Sequence, residues 1–247
     1  MAACGSNQHD AGGVESDAGA AEATPDGGSR HADVLGFCDT IDASHVEFCT
    51  DFENDTGRFF GFDDYGRSTG ASVGVSPHEG ADLSSALDFA IVREAGTGEG
   101  VFVLKKLPAM EPSPVGVRYE VELDFRVHDA STISYAVLVY IGVVFSGDGL
   151  GIATYDGNVL SRATPKTVAL NDNHEWHHAF MAIERAPDTS MVSTRVTIDS
   201  TLVDSDAGIG GGQTSPNGNY VHLGIVGTSH ENGSLRVQFD NVVIRRW

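Results

Sequence analysis

Between residues 117 and 127 the chain alternates cleanly. Val121, Leu123, Phe125 and Val127 fall on one side, and Glu120, Glu122, Asp124 and Arg126 on the other. A period of two is that of a β-strand with one dry and one wet face. The closing stretch repeats the pattern, with Leu235, Val237 and Phe239 set against Arg236, Gln238 and Asp240. After Asp240-Asn241 the apolar positions change phase to Val242 and Ile244. A one-residue change of phase predicts a bulge, or a segment buried on both faces, and places this last strand inside a sheet. Residues 133–145 are apolar on both sides, as in a strand covered by neighbours and by a second sheet.

Shorter signals fill the remainder. Residues 48–52 open the pattern, and 85–93 and 101–105 flank the Gly-rich 96–100, which predicts a hairpin. Asp156-Gly157 predicts a second hairpin within 150–160, and 175–184, 192–203 and the run from Tyr220 add further strands. No segment holds a 3.6-residue period over three turns, so no helical layer is expected. The apolar run 136–145 is far short of the roughly 20 residues that span a membrane. Roughly twelve short strands predict an all-β chain, a two-sheet antiparallel β-sandwich (jelly roll) rather than a closed barrel.

Composition then divides the chain. Residues 5–30 are almost wholly Gly, Ala, Ser, Asp, Glu, Asn and Thr, too polar to offset the entropy of ordering. The expected organisation is a disordered N-terminal tether over 1–36 and one β-sandwich domain over 37–247. The 247 residues carry a formal net charge of −20, which repels phosphate backbones and argues against nucleic acid. Such a surface attracts cations, calcium first outside cells, although solubility alone also accounts for it. Cys38 and Cys49, eleven residues apart, fit a disulfide loop formed in an oxidising compartment, with two buried thiols as the alternative.

The order of short motifs carries a resemblance. "CTDFE" at 49–53 is followed by the paired acids of 120–124, the Asp-Gly hairpin, Trp176-His177, Val196-Thr197-Ile198-Asp199 and "FDNVVI" at 239–244. This order resembles the concanavalin A-like lectin/glucanase superfamily, the jelly roll that includes laminin G-like domains, over about 48–247. The resemblance implies a domain that binds a carbohydrate or another cell-surface ligand. It also brings two alternatives, a glycoside hydrolase or lyase and a non-catalytic structural or adhesive module. Glucanases of the superfamily carry E-x-D-x-E or E-x-D-x-x-E on one strand. Glu122-Leu123-Asp124 corresponds to the first three positions, with Glu120 on the same face, but Arg126 or Val127 stands where the last acid belongs, so a wet strand face is the expectation. The resemblance further implies a structural calcium where first and last strands meet, with Asp51, Glu53 and Asp240 as candidate ligands.

Sugar binding needs an aromatic surface, for which Tyr65, Trp176 and Tyr220 are candidates. His174, His177 and His178 have no spaced third ligand for zinc and are expected as a strand edge. Finally, Met1-Ala2-Ala3-Cys4 resembles the end of a bacterial lipobox. That implies lipidation of Cys4, an export signal upstream and a monomer displayed at the cell envelope. Its contact with the membrane would be through the lipid anchor alone.

Overall fold

A computed structural model of the chain describes residues 36–53, 58–93, 100–108, 110, 114–128, 135–142, 150–155, 158–161, 167–169, 174–187, 192–209, 219–228 and 233–247. Among the described residues a helical turn at Phe37–Thr40 precedes the first of fifteen strands, and a 3-10 turn lies at Arg58–Gly61. The strands are β1 (Val46–Thr50), β2 (Asp64–Arg67), β3 (Ala71–Ser76), β4 (Ala86–Arg93), β5 (Val101–Leu107), β6 (Val117–His128), β7 (Tyr135–Gly142) and β8 (Leu150–Tyr155). The chain continues through β9 (Asn158–Ser161), β10 (Thr167–Ala169), β11 (His177–Arg185), β12 (Val192–Ile198), β13 (Thr201–Ile209), β14 (Asn219–Thr228) and β15 (Gly233–Arg246).

Two antiparallel sheets make a sandwich. The larger has the order β13-β12-β11-β6-β15-β4-β3, with β1 also paired to β15, and the smaller has the order β10-β9-β8-β7-β14-β5-β2. The alternating residues of β6 and β15 meet the inner faces of β5, β7 and β14 in one core. Phe89 and Phe239, both fully buried, pack edge to face with centroids 5.7 Å apart. Each such side chain removed from water contributes about 1.5–3 kcal/mol. Tyr119 is buried to its tip, where its hydroxyl donates to the Pro108 carbonyl at 2.7 Å. Burial pushes this phenol up to about 12.

The last strand is the interior one that its pattern predicts. It lies between β6 and β4 over its first half, and β1 replaces β4 beside Val242–Arg245. The change of phase is a bulge. Register with β6 breaks between Asp240 and Val243, and Asn241 adopts φ +51°. Cys38 and Cys49 are bonded, tying the first helical turn to β1.

The expected hairpin across 85–105 is corrected. β4 pairs with β3 and β15 in the larger sheet, whereas β5 pairs with β2 and β14 in the smaller. Alternation reports that one face is buried and is silent on the partner, so an arch between sheets has the signature of a hairpin. Gly100 permits the crossing, since a Cβ there would lie 1.6 Å from the Ile225 carbonyl oxygen. Cys4, the proposed tether and the turn at Asp156-Gly157 lie outside the described residues, although β8 and β9 pair antiparallel on either side of that turn.

Candidate functional site

The outer face of the smaller sheet carries an aromatic strip. Core-facing Val101, Val103, Val221, Leu223 and Ile141 alternate with Phe102, Tyr220, His222 and Tyr140, which therefore point outward and are half-buried. The His222 imidazole stacks on Phe102 at 4.4 Å between centroids and on Tyr220 at 4.7 Å. Tyr140 follows at 6.1 Å from Tyr220. The rings have room because their cross-strand partners are glycines. Gly66 pairs with Phe102, Gly142 with Tyr220 and Gly151 with Tyr140. A Cβ on Gly66 would lie 2.5 Å from the Phe102 ring, and one on Gly142 would lie 2.4 Å from Tyr220. A glycine within a strand weakens it, and here the vacated space is filled by a neighbour's ring.

His222 is the polar member. Burial alone holds its imidazole down at about 4. It is thus neutral near neutral pH, and its Nδ1 is buried without a hydrogen-bond partner. Lys106 pairs with Tyr220 on the side away from Gly142 and is exposed at the end of the strip. Such a face can stack on the apolar side of a sugar ring and offer a neutral acid–base group beside it.

Of the candidate aromatic residues, Tyr220 stands in this strip. Tyr65 is on β2 at the sheet's edge and is 39% exposed. Trp176 is on the other side of the sandwich, under the Arg126 guanidinium, 4.8 Å from its ring centre. Phe102, Tyr140 and His222 were not singled out from the sequence. Their signal was an aromatic at alternate positions of strands whose neighbours contain glycine, and it needs the pairing to be read.

The acids of β6 lie on the outer face of the larger sheet, each already engaged. Glu120, 9% exposed, accepts from Trp247 Nε1 at 3.0 Å and pairs with Arg118 at 2.6 Å. Glu122 accepts from Arg245 at 2.7 Å. Asp124 takes His178 Nδ1 at 2.9 Å and the Asn241 amide at 2.8 Å. The partner Asp124 raises the His178 imidazole above its ordinary value. His177 instead faces inward and meets Asp199 at 2.7 Å, and His174 lies against His128. Among the described residues no three His, Cys, Asp or Glu side chains are grouped to hold one metal ion.

Two of the three calcium candidates bond to the same 80–85 segment. Asp240 is fully buried. Its Oδ2 accepts from the Ala81 amide at 2.9 Å and from the Ser84 hydroxyl, and its Oδ1 from the Asn241 amide at 2.7 Å. Burial pushes this carboxyl up to about 6 against those donors. Glu53 accepts from the adjacent Ser85 amide. A Cβ on Gly80 would lie 2.5 Å from Asp240 Oδ2, and Phe52, His78, Leu83 and Asn241 around this corner all have positive φ. Asp51 does not join them: its Oδ1 accepts from the Glu53 amide at 3.3 Å, and its Oδ2 lies over Gly36.

No protein-family model matches the chain, and no curated protein matches it. Solved structures do. An endo-β-1,4-glucuronan lyase from the fungus Trichoderma reesei aligns with a TM-score of 0.59 at 14% identity, over 81% of this chain and 95% of that one. A sialidase aligns at 0.55 and 11% identity over 81% of this chain, which spans only 18% of the sialidase. A cellulose-induced protein, Cip1, aligns at 0.50 and 13% identity over 80% and 96%. The likeness is one of fold. What is shared is the two-sheet β-sandwich.

Proposed function

We propose that the chain binds a glycan on the outer face of its smaller sheet, with Phe102, Tyr140 and Tyr220 as the stacking surface. The observation that carries this reading is the stacked strip itself, in which Gly66 and Gly142 make room for the Phe102 and Tyr220 rings on either side of His222. A core needs no such arrangement on its solvent side, and exposed aromatic surface is otherwise costly to solubility. Fold neighbours that include a glucuronan lyase and a sialidase support a carbohydrate ligand. Electrophoresis through gels containing a panel of polysaccharides tests it. Retardation on at least one glycan, lost in Tyr140→Ala and Tyr220→Ala, is the expected result. Retardation that both variants retain would contradict it.

A second reading, a polysaccharide lyase, is favoured by His222. A neutral imidazole set among two phenols suits removal of a carbon-bound proton beside a sugar carboxylate, through Nε2, since Nδ1 is buried. The glycosidic oxygen would leave as the carbon–carbon double bond forms. New ultraviolet absorbance from that bond, absent in His222→Ala, would select this reading. Glycan retention without it selects binding alone.

Calcium held by Glu53 and Asp240 would pin the two ends of the domain. Lipidation at Cys4 would carry the domain at the cell envelope on the segment before it. Mass spectrometry of the membrane fraction tests the latter, and a Cys4 free of lipid would sink it.

A further inference from the structure

The larger sheet has a pocket on its outer face, lined by residues of β6, β11, β12 and β13. Its volume is about 350 Å³, and Arg118, Ala182, Glu184, Ser193, Arg195 and Ser205 are among its lining residues. The strand register explains why it exists. On the outward rows, Glu120 pairs with Ala182, Ala182 with Arg195 and Arg195 with Ser205. The next row sets Arg118 beside Glu184 and Glu184 beside Ser193. Ala182 is thus a low floor between long side chains, and the methyl leaves a hollow that Arg118 and Arg195 overlook.

The hollow has an unmet demand for an acceptor. Arg118 Nε, on the outward row, is buried and without a hydrogen-bond partner. A buried N–H left unpaired is costly, so an acceptor in the hollow is favoured. Arg118 already holds Glu120 through Nη2, leaving Nε to another acceptor. Arg195 enters none of the ion pairs among the described residues. Among the lining residues whose side chains are described, the charged ones are two arginines and one exposed glutamate, in a chain of net charge −20. Guanidinium groups are donors only and present forks that match a carboxylate.

We propose that this pocket binds a carboxylate, with Arg195 and the Arg118 Nε–H as donors and Ala182 as floor. The carboxylate belongs either to an acidic sugar or to a small free acid. The site is separate from the aromatic strip and stands whether or not that strip binds a glycan.

The test is nuclear magnetic resonance of the full chain labelled with ¹⁵N-arginine, at constant ionic strength. The Arg118 Nε–H resonance, assigned by its loss in Arg118→Lys, is followed during titration with sodium glucuronate, sodium acetate or glucose. Sodium glucuronate is expected to move it saturably. If acetate moves it with the same affinity, a simple carboxylate suffices; if only glucuronate does, the ligand is an acidic sugar, and both results support the site. Arg195→Ala should weaken binding by about tenfold, the equivalent of one charge-assisted contact. Glu184→Gln should tighten it, because it removes a repelling carboxylate from the rim. No movement up to about 50 mM glucuronate, a Kd weaker than any useful contact, would overturn the proposal. So would an equal response to glucose, or weakening in Glu184→Gln, since those mark a site for sugar hydroxyls.

Discussion

Tyr220 fills the space that a side chain on Gly142 would occupy: a Cβ there would stand 2.4 Å from the phenol carbon Cζ. The obstruction is the far end of a rotatable ring rather than backbone, so Gly142→Ala should fold. The methyl should displace the ring and cut glycan affinity by about three- to tenfold, the value of one aromatic contact. The thermal midpoint and the affinity are to be measured on the same preparation. An unchanged affinity would show that the Tyr220 position is immaterial.

His222 ties stability to acid. Its imidazole titrates at about 4 in the fold against 6.5 when exposed, because Phe102, Tyr220, Tyr140 and Leu104 surround it. The folded value is depressed, so between those pH values the unfolded chain binds a proton that the folded chain refuses. The contribution is present in full above pH 6.5, falls as the pH drops, and is lost below about 4. It amounts to at most about 3 kcal/mol, reduced because water reaches part of the ring. Histidine proton resonances followed from pH 7 to 3.5 should show one imidazole with a midpoint near 4. A midpoint near 6.5 for His222 would contradict the burial.

Much of this architecture was legible in the order of apolar and polar residues. The alternation of Val121, Leu123 and Phe125, and the change of phase at Asp240-Asn241, mark a strand and a bulge because side-chain period and local geometry are properties of one segment. Partners are not. The β4–β5 arch read as a hairpin, since Phe89 and Val103 would alternate alike in either arrangement. The aromatic strip was legible only at Tyr220, because Phe102, Tyr140 and His222 come from three strands and the glycines beside the rings from strands whose pairing the sequence does not show. The same holds for Glu53 and Asp240, which meet at Ser84 and Ser85 although Asp51 turns away.

Calcium should stabilise the corner where those residues meet. Adding it in the millimolar range should raise the thermal midpoint, and chelator should reverse the gain, because binding to the folded state alone shifts unfolding by mass action. Glu53→Gln is the informative variant, since it removes a charge without taking away the Asp240 hydrogen bonds that hold Ala81 and Ser84. That variant should lose most of the response. An equal response in Glu53→Gln would place the ion elsewhere.

The Cys38–Cys49 bond closes a short loop, with a separation of 11 residues, onto β1 beside the closing strand. In the chain-entropy description such a loop is worth about 3 kcal/mol. Cys38→Ser/Cys49→Ser should lower the thermal midpoint by several degrees, roughly as that energy implies for a domain of this size. Alkylation without reductant, followed by intact-mass analysis, should find neither thiol labelled in the unmodified chain. Two labels would contradict the bond.

The central claim is that a glycan lies across the outer face of the smaller sheet. Amide resonances of the ¹⁵N-labelled chain, titrated with fragments of whichever polysaccharide retards it, test this most directly. The expected shifts cluster at Phe102, Tyr140, Gly142, Tyr220 and His222, spanning three adjacent strands, and vanish in Tyr140→Ala/Tyr220→Ala. Shifts confined to β6, β11 and β12 of the larger sheet, with that double variant binding as before, would contradict it.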